Sequence, residues 1–285
     1  MIKIGLKPAM ATSLADGDNP IEQLDTIIDF AKAARDEGFH SIWAGQHYFG
    51  GNRVRWEVVP LLARLIPEIK DMVVGTCIML LPLHHPVLVA EQVAILDILA
   101  AGKFVFGVGL GYREIEFDGF GVPKRERAAR LGDSLMMNPH ASITTLERQL
   151  EIYRDALKQE AKPFPEELSI RKDIYIAETR EQAWAEAERE VPRLVQGLSA
   201  ENQFAELPAS DRVGAEQDLK TFIRSRYIVG NPGDCLEQIK QHQERLRTNH
   251  FIFRIACPGG NRAAMMQKIK LIGREVIGQI RSEAR

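Results

Sequence analysis

Cysteine is scarce in this chain: Cys77, Cys235 and Cys257 are the three among 285 residues, far apart and never in a C-x-x-C pair. That spacing argues against a disulfide framework or a thiolate zinc site, and it makes a reducing cytoplasm the expected compartment. Charge of one sign is lacking as well. Lys and Arg number 37 against 39 Asp and Glu, and no basic cluster is interleaved with aromatics. Nucleic acid is therefore not the expected partner. Long hydrophobic runs are missing too. The longest, Met72 to Leu83, is interrupted by Gly75 and closed by proline, and the opening MIKIGLKPAM has no apolar signal core. No membrane partner is expected from either feature. No low-complexity tract or obvious linker occurs, so one domain over 1–285 is expected, a length at which α/β barrels form single domains.

What is present is alternation. Short apolar runs are separated by longer patterns of helical period, which predicts βα units and parallel strands. The strand candidates are Ile2–Leu6, Ser41–Gly45, Met72–Leu81, Phe104–Leu110, Ser134–Met137, Ile170–Ala177 and His250–Ile255. Between them, Ile21, Leu24, Ile27, Ile28, Ala31 and Ala34 are expected to line one helix face that stops at Gly38. A second helix is expected from Pro86, burying Val89, Val93, Leu96 and Leu99. A third begins with Asn231 as N-cap and Pro232 at the first helical position, turning Leu236 and Ile239 inward. The polar stretch Leu198 to Asp218 reads as a surface excursion. Seven strands are one short of a complete (β/α) barrel, and the gap between Phe104–Leu110 and Ser134–Met137 is too short for another βα unit.

In parallel α/β barrels ligands sit beyond the carboxyl ends of the strands, so residues that follow each strand are the candidates. After the second strand comes His47, a residue type suited to proton transfer near neutral pH; a core histidine satisfied by carbonyls is an equal alternative on position alone. His84 and His85 follow the third strand. Adjacent side chains diverge and no carboxylate lies at ligand spacing, so zinc is not expected and one of the pair is expected to fix the turn. In Gly107-Val108-Gly109-Leu110-Gly111 alternate glycines would let a planar ring or a phosphate approach the backbone. No helix follows at dinucleotide-binding spacing, nor an acid about twenty residues on, and that fold is rejected. Arg113 is expected to pair with Glu114 or Glu116, and Arg53 and Arg55 to be solvated.

Three stretches carry a resemblance in combination: Ile42-Trp43-Ala44-Gly45-Gln46-His47-Tyr48; the run from Gly75 to Pro86; and the run from Gly102 to Arg113, followed by Glu116-Phe117, Phe120-Gly121-Val122-Pro123 and Arg130-Leu131-Gly132-Asp133. The chain resembles the bacterial-luciferase-like flavin-dependent monooxygenases and the related deazaflavin-dependent reductases, over nearly its whole length. The resemblance implies a TIM-type (β/α) barrel that lacks the fifth βα unit, with the join near residues 126–128. It implies a flavin across the carboxyl ends of the strands, its ring near a third-strand bulge that often holds a non-proline cis peptide, by position around Thr76, Cys77 and Ile78. The family's histidine maps onto His47, and its fourth-strand flavin contacts onto Gly109, Leu110, Gly111 and Tyr112. For Thr76 and Cys77, plain strand packing is the competing reading. A mouth lined by Trp43, Phe49, Met79 and Leu81 would exclude water.

The activity so implied is a two-component monooxygenase using reduced FMN and O2 on a small organic substrate, with a separate flavin reductase. Two alternatives stay open: hydride transfer with coenzyme F420, and a shortened protein that binds flavin or another small molecule without turnover. The fifth strand of relatives supplies much of the flavin phosphate site, so its loss bears on all three. An open sheet edge and the habits of relatives lead to the expectation of a homodimer.

Overall fold

The structure, a computed structural model, describes the chain except residues 1, 9–10, 14–16, 18, 52, 128–139, 160, 162, 201–217, 258–260 and 284–285. The chain forms two compact units, Gly5–Ser134, and Leu135–Arg285 together with Met1–Ile4.

In the unit Gly5–Ser134 each predicted strand run becomes a parallel strand followed by a helix. β1 (Lys3–Leu6) is followed by a short β2 (Ala11–Ser13) and by α1 (Pro20–Asp36); β3 (Ser41–Ala44) by β4 (Arg53–Arg55) and α2 (Val58–Ile69). The third run is split into β5 (Val73–Thr76) and β6 (Met79–Leu80) before α3 (Pro86–Leu99), and the fourth into β7 (Phe104–Val105) and β8 (Val108–Gly109) before α4 (Glu114–Phe120). β1, β3, β5 and β7 lie side by side in chain order, all parallel, and β6 pairs with β8 in parallel beyond the split. β2 and β4 zip the loops after β1 and β3 together as an antiparallel ladder, with Thr12 opposite Val54.

Local chemistry sets the helix ends. The Asn19 side chain accepts from the Ile21 N–H, Pro20 opens the helix, and Gly38 takes a left-handed φ of 79° where α1 must stop. The buried face of α1 is Ile27, Ile28, Phe30, Ala31 and Ala34; Ile21 in the first turn, expected inside, is exposed. α3 departs further from expectation. Val89 and Leu96 alone are buried in it, Val93 is half-buried, and Leu99 is exposed with Val87, Leu88, Ile95 and Ile98. A helix apolar on every side gives no period from which to read its inner face.

In the unit Leu135–Arg285, α5 (Ile143–Gln159) precedes β9 (Ser169–Ile176), and α6 (Arg180–Ala200) and α7 (Leu219–Arg226) lead to β10 (Ile228–Gly230). α8 (Pro232–Leu246) then leads to β11 (His250–Ile255). β9 is central, with β10 and β11 parallel on either side. β10 is a strand the sequence reading passed over: three residues are too few to show a period, and Ile228 and Val229 are buried by what packs on them. α8 opens with the expected cap, completed as a capping box in which Asn231 accepts from the Asp234 N–H and Asp234 accepts from the Asn231 N–H. Asp173, buried on β9, is clamped by Arg254 through both carboxylate oxygens and by Arg171 at 2.9 Å. Burial works to raise its carboxyl, but the two guanidiniums outweigh it and hold the group well below the usual carboxylate range.

The expected strand Ser134–Met137, the last residue of the expected join at 126–128 and most of the expected excursion at 198–218 lie outside the described residues. Among the described residues no helix is long and apolar enough to cross a membrane.

Candidate active site

The split in the third and fourth strands is the centre of the site. Between β5 and β6 the peptide joining Cys77 to Ile78 is cis, at the place the resemblance implied. The chain on both sides is tied down. The Cys77 N–H donates to the Ala44 carbonyl at 2.6 Å, and the Gln46 N–H donates to the Ile78 carbonyl at 3.0 Å. Opposite, the Thr76 hydroxyl donates to the Gly107 carbonyl at 2.7 Å and accepts from the Gly107 N–H at 2.8 Å. Gly107 is needed there: a Cβ on it would lie 2.1 Å from the Thr76 carbonyl oxygen. Two strands that leave regular pairing are thus rejoined by one buried hydroxyl, and β6 and β8 resume the ladder beyond it.

The structure brings the predicted residues to this bulge in different ways. Thr76 is buried with its hydroxyl spent on Gly107, which is the strand-packing arrangement. Cys77 and Ile78 are half-buried on the bulge, and Ile78 packs against Leu80, Leu83 and Phe117. Gly109 and Gly111 are buried at the end of β8, with Gly111 at a φ of 73° that turns the chain into α4, while Leu110 and Tyr112 are half-buried. Trp43 and Met79 do not line a mouth. Both are core residues, because the Trp43 ring lies over Gly75, its register partner on β5, where a Cβ would come within 2.2 Å, and its indole N–H donates to the Ser41 hydroxyl. Phe49 is exposed and Leu81 half-buried.

His47 follows directly on the Gln46–Ile78 bond, and its environment is polar and specific. Its Nδ1 lies 3.0 Å from Oε1 of Glu116 on α4, and its Nε2 lies 3.3 Å from the Tyr112 hydroxyl. Glu116 is fully buried while the His47 side chain is 31% exposed, so the carboxylate backs a ring that faces outward. The same Oε1 accepts from the Tyr48 N–H at 2.9 Å and from Arg113 Nη1 at 3.2 Å; Arg113 also donates to the Tyr48 carbonyl at 2.7 Å. Arg113 thereby has the partner expected of it. Burial pushes the Glu116 carboxyl up, yet His47, the Tyr48 amide and Arg113 together prevail and hold it below the usual range.

A second polar chain braces this one. The Gln46 amide oxygen accepts from the Leu80 N–H and from His84 Nε2, both at 2.9 Å, and its nitrogen donates to Glu57 at 2.6 Å. The Leu80 N–H can only donate, which fixes which end of the amide is oxygen. Burial lowers the His84 ring pKa, so the neutral form holds this turn, the structural role expected of one of the two histidines. Glu116, Gln46 and Lys7 escaped the sequence reading as site residues. Lys7 had a signal available, since it follows β1 as His47 follows β3, and its Nζ would stand 3.2 Å from a Cβ placed on Gly45.

Parallel strands with a carboxylate-backed histidine at their carboxyl ends are the kind of arrangement in which α/β barrel enzymes carry their sites. A family model for luciferase-like monooxygenases matches residues 8–134 and 124–249, and the chain belongs to that family, whose members are oxidoreductases. The two matched stretches overlap at 124–134, a span that includes the join expected near 126–128. Among similar proteins, 4-hydroxyprotoasukamycin monooxygenase of Streptomyces nodosus subsp. asukaensis is 27% identical over 123 residues, 42% of this chain and 32% of that protein. The chain aligns with about a third or less of the length of the curated relatives it matches first. The oxygenating constituent of 3,6-diketocamphane monooxygenase from Pseudomonas putida, solved in complex with FMN, superposes with a TM-score of 0.73 at 15% identity, over 97% of this chain and 98% of that one. The coenzyme F420 dependent tetrahydromethanopterin reductase of Methanopyrus kandleri gives 0.66 at 16% identity, over 98% and 99%. These likenesses show the fold, the luciferase-like TIM-type α/β class expected from the sequence.

Proposed function

We propose that this protein holds a flavin with its ring end against the Cys77–Ile78 bulge and oxygenates a small organic substrate, using reduced FMN delivered by a separate reductase. The observation that carries the reading is His47 beside that bulge, its Nδ1 on a buried carboxylate, its Nε2 3.3 Å from the Tyr112 hydroxyl, and its side chain 31% exposed. The ring end is compatible with such a group: Cys77, Ile78, Leu110 and Tyr112 are half-buried near the bulge, and the His47 ring stands beside Tyr112. When bound, reduced FMN would supply the electrons for dioxygen chemistry. The chain's own residues orient the ring, limit water and move a proton at His47 Nε2.

The names of the similar proteins favour monooxygenation over F420-dependent hydride transfer, since the curated relative above is a monooxygenase, as is the FMN complex. The homodimer belongs to the same reading. Val87, Leu88, Ile95, Ile98 and Leu99 give α3 an exposed apolar face of the kind that marks an association surface. Fluorescence titration with FMN, riboflavin and F420 tests the proposal. On the reading that the fifth βα unit is missing, FMN and riboflavin quench with similar dissociation constants, and F420 binds more weakly. Absence of flavin quenching would end the reading, and F420 binding alone would transfer it to hydride chemistry.

A further inference from the structure

We infer that Glu116 is a positioning residue that keeps the His47 ring proton on Nδ1, leaving Nε2 as the single working nitrogen, and that the Tyr112 hydroxyl covers that nitrogen until a ligand displaces it. The assignment deepens the function proposed above by naming how its acid–base residue is set, but it rests on contacts that need no ligand.

Glu116 Oε1 takes three donors: His47 Nδ1, the Tyr48 N–H and Arg113 Nη1. Two of these can only donate, so Oε1 is an acceptor and the imidazole must present an N–H to it. The Tyr48 amide belongs to the residue after His47, so the carboxylate fixes the backbone and the ring of one short segment together. Oε2 is buried and has no hydrogen-bond partner among the described residues. All the fixed donors therefore converge on one oxygen, a geometry that holds the carboxylate against rotation.

With Nδ1 committed, Nε2 carries the lone pair of the neutral ring, and the Tyr112 hydroxyl at 3.3 Å is placed to donate to it. The rings of His47 and Tyr112 meet edge-on with centroids 5.7 Å apart, so the phenol stands at the nitrogen and does not stack over the ring. When Nε2 takes a proton from a ligand, the new N–H bond forms as the donor's bond to hydrogen breaks. The positive charge spreads over the imidazolium and faces the Glu116 carboxylate, which itself receives no proton. The reverse transfer restores the starting tautomer with no ring flip. When the ligand leaves, the Tyr112 hydroxyl returns to Nε2 and accepts from its N–H, a reversal of roles that a hydroxyl makes by rotation.

The test is the nitrogen spectrum of His47 in the full chain without flavin, together with its rate of carbethoxylation, which occurs on an unprotonated ring nitrogen. The neutral ring of the unsubstituted protein is expected in the Nδ1–H form. Glu116→Gln keeps that form, because an amide oxygen takes the same three donors, whereas Glu116→Leu loses it and moves the proton toward Nε2. Tyr112→Phe keeps the tautomer and speeds carbethoxylation of His47 severalfold by uncovering Nε2. A dominant Nε2–H form in the unsubstituted protein overturns the inference without any variant needing to fold, as does an unchanged tautomer in a folded Glu116→Leu. An unaltered carbethoxylation rate in Tyr112→Phe removes the role given to Tyr112. None of these outcomes depends on flavin binding, so the proposed function and the tautomer assignment stand or fall separately.

Discussion

Replacing Thr76 by Val tests whether the bulge is held together by the hydroxyl that bridges it. The two side chains have nearly the same shape, so packing is preserved while two hydrogen bonds disappear, one to the Gly107 carbonyl and one from the Gly107 N–H. Thr76 is 1% exposed, so water does not reach the freed groups at no cost. Each bond contributes about 1 kcal/mol net, and an amide left unpaired in a dry site adds to the loss, for a local cost of about 2–3 kcal/mol. Since ~1.4 kcal/mol is a factor of ten, exchange of the Gly107 amide hydrogen should accelerate by roughly 30- to 150-fold. Thr76→Ser supplies the control. It keeps the hydroxyl and gives up one methyl, about 1 kcal/mol, so the Gly107 amide should stay protected. Hydrogen exchange read at Gly107 in all three proteins decides the matter. If Thr76→Val exchanges at that amide within about threefold of the parent, the hydroxyl is not what joins the strands, and Thr76 returns to being a candidate ligand-facing group.

Two further outcomes follow from other parts of the molecule. Asp173→Asn removes the negative charge between Arg254 and Arg171 and should cost about 3 kcal/mol in urea unfolding at pH 7, the lower end for a broken buried pair because Arg254 is partly exposed. The Asp173 carboxyl is held below its unfolded value of about 3.9, so its contribution is present above that pH and fades as pH falls beneath it; the gap between parent and variant should narrow at pH 3, and a constant gap contradicts the clamp. Ile98→Glu places a charge on a side chain that is 76% exposed; on the proposed homodimer it should shift the mass by light scattering from dimer to monomer without unfolding the chain. Equal masses for parent and variant would remove α3 from the interface.

Most of the architecture was legible because parallel strands buried on both faces read as continuous apolar runs, and β1, β3, β5 and β9 fell where such runs occur. His47 was legible through the rule that strand ends carry function and through the motif around it. Its partner was not: Glu116 is 69 residues away, and nothing in the sequence says that α4 returns its first turn to the tip of β3. Trp43 was misplaced for a similar reason. An aromatic near a strand end looks like lining, and only the register that sets Gly75 opposite it shows that the neighbouring strand makes room for the indole. Gly107 shows the converse error. It reads as a cradle for a ligand, whereas the close approach it permits is that of Thr76 on the adjacent strand.

Glu57 opens α2 by accepting from the Val59 N–H, and with its other oxygen it holds the amide of Gln46, which in turn holds Leu80 and His84. A position that looks like routine helix punctuation is therefore wired into the loop that presents His47. Variation at the start of that helix should be felt as altered chemistry before it is felt as lost stability, and redesign of this face of the protein has one fewer free residue than its surface suggests.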